Sequence, residues 1–308
     1  MTPVTVEAPA SSANLGPGFD ALALALDLYL RVTVTPLDHG AEQLTVAGEG
    51  ADEIGLDAGN RFLIGLEHGL QAFGLEPPVM RIDMANEIPL ARGLGSSAAA
   101  CVAGLLAAQA LCGESLAPER LHRMATDIDG HPDNVAAALV GGFVVVTRDG
   151  SGAPQLARFD PPDGLVAALF IPELALRTAE MRAALPAQVA HADAAHNVGR
   201  AALVVAALTA DRPELLAAMA EDRLHEPYRA AFFPALPELV AAARAAGALG
   251  AALSGAGSTV IALCDGAEAA EKVSQAMAAT AARLDLAGRA TVARPAFEGA
   301  RIVAPTAG

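Results

Sequence analysis

Apolar and polar positions alternate over residues 4–8 and again over 31–35, the period of a half-buried strand. Residues 21–28 between them are apolar, and residues 11–20, SSANLGPGFD, read as a turn-rich loop. Residues 43–48 are expected to pair with 31–35 as a hairpin. Leu63, Leu66 and Leu70 recur at helical spacing and predict a helix over 61–73. A short strand over 79–84 leads into PLARGLGSSAAA, residues 89–100, from which a long helix is expected over 96–111. A second helix is expected over 118–128, with Pro118 at a favoured first-turn position. The segment DGHPDN, residues 129–134, interrupts it, and a short apolar stretch, 135–140, precedes a strand over 143–147.

The Gly- and Ser-rich segment 149–154, followed by Pro161 and Pro162, marks the expected boundary between domains 1–155 and 156–308. In the second half the pattern predicts strands over 165–172, 260–264 and 290–293. It predicts helices over 196–209, 213–221, 237–246 and 267–284. No internal repeat is visible. This order of elements is α+β, with mixed rather than purely parallel pairing.

Composition narrows the picture. A chain of 308 residues that is 53% hydrophobic can bury a substantial core. Only 4% of it is aromatic and it has no Trp, so that core is built from Ala, Val and Leu. The formal charge of −15, with no basic cluster, argues against a nucleic-acid partner. It also means that any phosphate site must be local and preorganised. Cys101, Cys112 and Cys264 are odd in number and show no CxxC spacing, so no disulfide framework is expected. The seven histidines show no metal-ligand spacing, and no zinc site is expected. The start, MTPVTVEAPASS, lacks the features of a signal peptide, and the longest apolar run is too short for a bilayer. The expectation is a soluble, cytoplasmic chain with no membrane partner.

The most informative stretch is 89–100. Gly93 and Gly95 let the backbone turn and approach a ligand. A helix starting at Ser96 and Ser97 points unpaired N–H groups back into the loop, which suits phosphate. The alternative is a serine-capped buried helix after a Gly-rich turn. The loop is not a Walker A loop, which needs a Lys after its last Gly. The single lysine, Lys272, lies far along the chain. Charge would have to be met by the helix dipole, by Mg²⁺ and by arginine. Arg92 is either the nearby cation or a solvated loop side chain.

Three separated segments together resemble the GHMP kinase superfamily: APASSANLGPGFD near the N-terminus, PLARGLGSSAAA, and GALGAALSGAGSTVIAL near the C-terminus. Within that superfamily, SANLGPGFD, HPDNVAAALVGG, LRTAEMRAALP and RLHEPYRAAFFP are most similar to the homoserine kinase family. The resemblance spans Pro9 to about Leu263. It implies a two-domain GHMP kinase fold, with an N-terminal domain like domain 2 of ribosomal protein S5 and a ferredoxin-like C-terminal domain. It implies a cytoplasmic phosphotransferase that moves the γ-phosphate of ATP to the side-chain hydroxyl of L-homoserine, a step towards threonine. Two departures stand out: Ser258 where the superfamily usually has Pro, and Asp129 where it often has Glu.

The resemblance also implies residue roles. Pro89, Leu90, Ala91, Arg92, Gly93, Leu94, Gly95, Ser96 and Ser97 would hold ATP phosphates, and Asn60 the adenine, although Asn60 also suits a helix N-cap. Mg²⁺ needs few protein ligands beside phosphate. Ser97 with Asp129 or Asp127 fits, and Ser97 also suits a cap. Homoserine is a zwitterion. Arg182 and Arg229, with Thr178, would serve its carboxylate side, Asp20 its ammonium, and Asn14 would hydrogen-bond it. Asn134 would sit near the reacting hydroxyl and is expected, with Asp133 and Arg182, among the catalytic residues. Asp133 is open between general base and structural acceptor, the latter favoured, and His131 is expected to hold the loop. A homodimer is allowed for. Two rival readings remain: a diphosphate-dependent decarboxylase on a related fold, and a non-catalytic binding module.

Overall fold

A computed structural model describes residues 2–152 and 154–303. The N-terminal half contributes β1 (Val4–Ala13), β2 (Leu22–Pro36), β3 (Gln43–Gly48), α1 (Arg61–Ala72), β4 (Met80–Asn86), α2 (Ser96–Cys112), α3 (Pro118–Asp129), α4 (Pro132–Val140), β5 (Phe143–Arg148) and β6 (Pro154–Phe159). The C-terminal half contributes β7 (Leu165–Pro172), α5 (Thr178–Ala183), α6 (His191–Thr209), a 3₁₀ helix (Pro213–Ala220), α7 (Glu226–Arg229), α8 (Leu236–Ala245), β8 (Gly250–Leu253), β9 (Val260–Asp265), α9 (Ala267–Arg283), β10 (Gly288–Ala293) and β11 (Arg301–Val303).

The first sheet has seven strands. Its main path is β11-β1-β2-β4-β3, and β5 joins β2 and carries β6. The long β2 pairs with β1 along one edge. Its other edge is shared: Leu22 to Leu24 pair with β5 and Leu30 to Pro36 with β4. Both edges of β2 are therefore filled, and this corrects the expected hairpin. Residues of β3 pair in parallel with β4 instead, across the α1 crossover. The second sheet, β10-β7-β9-β8, is wholly antiparallel. Numbered within its own half the order is 4-1-3-2, the ferredoxin-like arrangement.

Other boundaries move as well. Strand β1 continues to Ala13 through an irregularity at Pro9/Ala10, so Ser11 to Ala13, expected in a loop, are sheet residues. DGHPDN does not end the helical run but joins two helices, with Pro132 opening α4. The expected boundary at 155/156 falls inside β6, which is hydrogen-bonded to β5 in the first sheet. The sheets divide between β6 and β7, and β11 returns the chain to the first sheet beside β1.

Helix α2 is apolar nearly all round and is buried on most of its surface. It packs so closely on α1 that both helices need glycine. A Cβ on Gly65 would lie 2.3 Å from Cys101 O, and one on Gly104 would lie 2.2 Å from Phe62 O. Small residues in α2 thus let its N-terminus sit deep between the layers. One core cluster, including Val32, Leu105, Leu169 and Leu263, joins the two sheets. A second, including Leu239, Val260, Val273 and Met277, lies under α8 and α9. Among the described residues no helix is long and apolar enough to cross a membrane.

Candidate active site

The three glycine-rich segments meet at one place. Strand β1 delivers Ser11 and Ser12 beside the loop before α2, where Ser11 N donates to Leu94 O at 3.0 Å. Ser254, after β8, sits 2.8 Å from Ser12 Oγ and donates its hydroxyl to Gly93 O at 2.7 Å. Gly255 N donates to Ala13 O and Thr259 N to Arg92 O, each at 3.0 Å. Asn14 Nδ2 donates to Gly255 O at 2.9 Å. A Cβ on Gly93 would lie 2.1 Å from Ser254 O. The third segment therefore clamps the first two, and Gly93 is required by that clamp. Ser258 follows a cis peptide bond from Gly257 and donates its hydroxyl to Leu174 O.

Gly95 is the N-cap of α2 at φ 71°, and no side chain caps this helix. Ser96 and Ser97 lie within its first turn, so the serine-capped alternative does not hold. The first N–H groups of a helix have no intrahelical partner, and here they border the cavity lined by Pro89, Ala91 to Ala98 and Asp129. Ser97 Oγ donates to Asp129 Oδ1 at 2.5 Å, and His131 Nδ1 lies 3.0 Å from Asp129 Oδ2. That bond to Asp129 raises the His131 imidazole above its ordinary pKa, against the effect of burial. The expected loop-holding role of His131 takes this form. Asp127 is exposed on α3 and does not line the cavity, because α3 turns its Asp129 end towards Ser97. Asp129 is the carboxylate brought to the loop.

Arg92 lines the cavity but is engaged elsewhere. Its Nε donates to Pro172 O at 2.8 Å, Nη1 to Leu90 O at 3.0 Å and Nη2 to Glu173 O at 2.6 Å. Three carbonyls hold it as a tie between the loop and β7, so it is a half-exposed, anchored side chain at the cavity wall rather than a free one.

Across the same cavity stand Asn14, Asp20, Asp133, Asn134, Thr178, Arg182 and Arg229. The Asp20 carboxylate accepts both Arg182 Nη1 at 2.9 Å and Nη2 at 2.8 Å. Arg229 is only 2% exposed. Its Nη1 donates to Gly255 O at 2.9 Å and to His225 Nδ1 at 3.1 Å, while the buried Nε has no hydrogen-bond partner among the described residues. Burial, with Arg182 nearby, lowers it to about 10, so it stays charged at neutral pH. Both guanidinium groups lie over the Phe19 ring, at 5.6 and 5.5 Å from its centroid. The side chain of Asn14 is engaged in its own turn: Oδ1 accepts Asp20 N at 3.0 Å. Asn134 Oδ1 accepts Ser11 Oγ at 3.0 Å.

Asp133 is 2% exposed and accepts Asn134 N at 2.8 Å. Burial, with the Asp20 charge nearby, pushes its carboxyl from 3.8 to about 6. The native chain therefore binds more protons than the unfolded chain between those values. Stability falls as pH rises through that window and stays lowered above it. Asp133→Asn should remove that cost while keeping the acceptor. The variant should gain up to about 3 kcal/mol at neutral pH and only about 0.5 kcal/mol near pH 4. Denaturant melts at the two pH values check this; an equal effect at both would contradict it.

A second cavity of about 300 Å³ adjoins the first at Ala91, Ser96 and Ser97 and is lined by Leu30, Ile54, Phe62, Met84 and Leu90. Its apolar walls suit a flat ring. Asn60 lies on its rim, and its Oδ1 caps α1 by accepting Phe62 N at 3.0 Å and Leu63 N at 3.3 Å. The capping role is the one seen, and Nδ2 donates to Gly55 O.

Sequence reasoning missed Ser11 and Ser254 as links between segments, and Phe19 and His225 beside the arginines. All four fall inside segments singled out as motifs, but a motif does not say which of its side chains face which partner.

An uncapped helix start, a serine–carboxylate pair and a charged pocket, held between a mixed sheet and a ferredoxin-like half, are the features of a GHMP-type small-molecule kinase. Residues 60–142 match the GHMP kinases N terminal domain and residues 204–283 the GHMP kinases C terminal domain. The homoserine kinase of Streptomyces coelicolor is 47% identical over 280 residues, 90% of this chain and 89% of that one. That of Moorella thermoacetica is 41% identical over 278 residues, 90% and 92% of the two chains. The crystal structure of homoserine kinase from Cytophaga hutchinsonii superposes with a TM-score of 0.87 at 30% identity, covering 98% of both chains. The mevalonate kinase of L. major, solved with R-mevalonate, shares the fold with a TM-score of 0.71 at 17% identity, over 94% and 95% of the chains. The chain belongs to the homoserine kinase family of GHMP kinases.

Proposed function

We propose that this protein transfers the γ-phosphoryl group of ATP to the side-chain hydroxyl of L-homoserine, giving O-phospho-L-homoserine and ADP. One observation carries the reading beyond family membership. A single cavity has a helix N-terminus with Ser97 and Asp129 at one side, and Asp20, Arg182 and Arg229 at the other. The first side suits polyphosphate, and the second suits a small zwitterion. The adjoining apolar cavity takes the adenosine end. A decarboxylase acting on a diphosphate substrate would have no use for the Asp20 carboxylate in the pocket, and a binding module would have no use for the Ser97–Asp129 pair.

The transferred group passes from the ADP oxygen to the homoserine oxygen, and the hydroxyl proton is released. Phosphoryl transfer asks mainly for positioning and charge stabilisation. The α2 N–H groups meet the phosphates and hold them in line with the acceptor. Asn134, fixed by Ser11, orients the hydroxyl. Arg229 and Thr178 hold the carboxylate side, and Asp20 turns from Arg182 to the ammonium. Asp133 fixes the Asn134 backbone. Removing a general base costs about 10²–10⁴ in rate. A structural Asp133 instead lets Asp133→Asn keep kcat within about tenfold.

The oxygen donors of Ser97 and Asp129 fit Mg²⁺, which accepts one or two protein groups beside phosphate. When bound it would neutralise charge on the phosphates. Loss of even an outer partner of a metal ligand costs roughly 10–100-fold in metal affinity. Ser97→Ala should therefore lower turnover at least about tenfold at limiting Mg²⁺, with partial recovery at high Mg²⁺. An unchanged Mg²⁺ dependence would remove Ser97 from the metal site.

The experiment for the reaction itself is ³¹P NMR of a mixture of protein, ATP, Mg²⁺ and L-homoserine. One new phosphomonoester coupled to the side-chain methylene is expected. ATP left intact, or phosphate carried on another oxygen, would refute the reading.

A further inference from the structure

Arg229 reaches the cavity from the short helix α7, and its surroundings are more elaborate than a substrate arginine needs. His225, one turn earlier, is fully buried and stands between two things the pocket depends on. Its Nδ1 accepts Arg229 Nη1 at 3.1 Å, and its Nε2 lies 2.8 Å from Gly16 O. A carbonyl cannot donate, so Nε2 carries the proton and Nδ1 is the free acceptor. Gly16 belongs to the turn between Asn14 and Asp20, where Asn14, Leu15 and Asp20 all have positive φ. Phe19 of that turn stacks on the His225 ring at 5.2 Å and lies beneath both arginines.

The ring is itself anchored. Asp222 accepts the backbone N–H groups of Leu224, His225 and Glu226, at 3.1, 2.8 and 2.7 Å. Asn197 Nδ2 donates to Asp222 at 2.7 Å and lies 3.2 Å from Pro17 O. The C-terminal half thus grips Gly16 and Pro17 through two buried side chains. Burial pushes the His225 imidazole down to about 4, so it is a neutral ring at working pH.

Nη1 of Arg229 has two hydrogens, and Gly255 O and His225 Nδ1 engage both. That leaves Nη2 as the donor turned to a ligand, while Nε, unpartnered among the described residues, is shielded behind it and completes a two-bond fork with a carboxylate only if its surroundings yield. We infer that His225 is a positioning residue that sets which donor of Arg229 faces the substrate carboxylate and, through Gly16, fixes the turn carrying Asp20, so that both charge poles of the pocket are held by one imidazole. This rests on the proposed placing of the homoserine carboxylate at Arg229.

Two conservative variants separate the two bonds. In His225→Asn the amide falls near the Nδ1 position and can still accept from Arg229. In His225→Gln it falls near Nε2 and can still donate to Gly16 O, with nothing left to accept from Arg229. Steady-state kinetics would be run with L-homoserine and with 3-amino-1-propanol, which lacks the carboxylate. His225→Gln should raise KM for homoserine about tenfold, leave KM for ATP unchanged, and leave kcat/KM for the amino alcohol near wild type. His225→Asn should keep the preference for homoserine over the amino alcohol but lower kcat/KM for both, because the tie to Gly16 and the Asp20 turn is lost; wild-type kcat/KM for the amino alcohol in this variant would remove Gly16 from the inference. Arg229→Ala is the reference. If it leaves homoserine KM unchanged, the carboxylate does not lie at Arg229 and the underlying reading fails. If it raises KM while His225→Gln does not, or if His225→Gln lowers both substrates equally, His225 only supports the fold. Wild-type ¹⁵N NMR of the ring gives a test free of folding effects. Nδ1 should be unprotonated at neutral pH, and a proton on Nδ1 would overturn the inference because that nitrogen could not accept from Arg229.

Discussion

Gly95→Val should remove measurable ATP binding from a chain that still folds. Gly95 sits at φ 71°, where a β-branched residue is a severe outlier. A Cβ there would lie 2.1 Å from Ser11 Oγ and 3.1 Å from Asn134 Oδ1. The valine must therefore displace the Ser11–Asn134 hydrogen bond or rotate the peptide that opens α2. Either change re-aims the N–H groups meant for phosphate. The obstructing atoms are the Ser11 hydroxyl and backbone N and the Asn134 amide, so the damage centres on the contact between β1, α4 and the loop. A loss of about 3 kcal/mol in binding would raise Kd roughly 100-fold. Calorimetric titration with Mg²⁺–ATP, beside a thermal melt, checks both parts. A folded variant with wild-type affinity would show that the loop does not cradle the nucleotide.

Arg229→Ala should give the largest loss on the amino-acid side. Arg229 is buried, lines the cavity and has no carboxylate hydrogen-bonded to it among the described residues, so a ligand carboxylate can supply that partner. Truncating one member of a buried charge pair costs about 2–5 kcal/mol. That corresponds to a fall in kcat/KM for homoserine of at least about 30-fold, with kcat/KM for ATP at saturating homoserine less affected. Arg182, with its side chain 42% exposed and already paired with Asp20, should give a smaller loss when truncated. Equal effects for the two arginines would mean that burial does not set their importance.

Much of this site was legible in the sequence because its parts are local. The Gly93-Leu94-Gly95-Ser96-Ser97 run announces a helix start facing an anion, and α2 begins at Ser96. The family resemblance carried Asp20, Arg182 and Arg229 into one pocket, and they share it. What was not legible is non-local. Nothing in residues 43–48 says that both edges of β2 are taken, so their parallel pairing with β4 could not be read. Arg92 looked like a free cation because its three carbonyl partners include Pro172 and Glu173, eighty residues away in sequence. Asp127 and Asp129 are indistinguishable as types. Only the direction of α3 decides that Asp129 meets Ser97. Strand β6 was hidden by the Gly, Ser and Pro residues around it, which punctuate a linker and an edge strand alike.

The central claim is that the three glycine-rich segments close one pocket that reads a hydroxylated zwitterion beside ATP. The most direct measurement is the rate of ADP release from Mg²⁺–ATP with L-homoserine, mevalonate or shikimate as acceptor, one at a time. kcat/KM for L-homoserine should exceed that for the two acceptors lacking an ammonium group by orders of magnitude. Comparable rates with mevalonate, or no acceptor-dependent ADP release with homoserine, would contradict it.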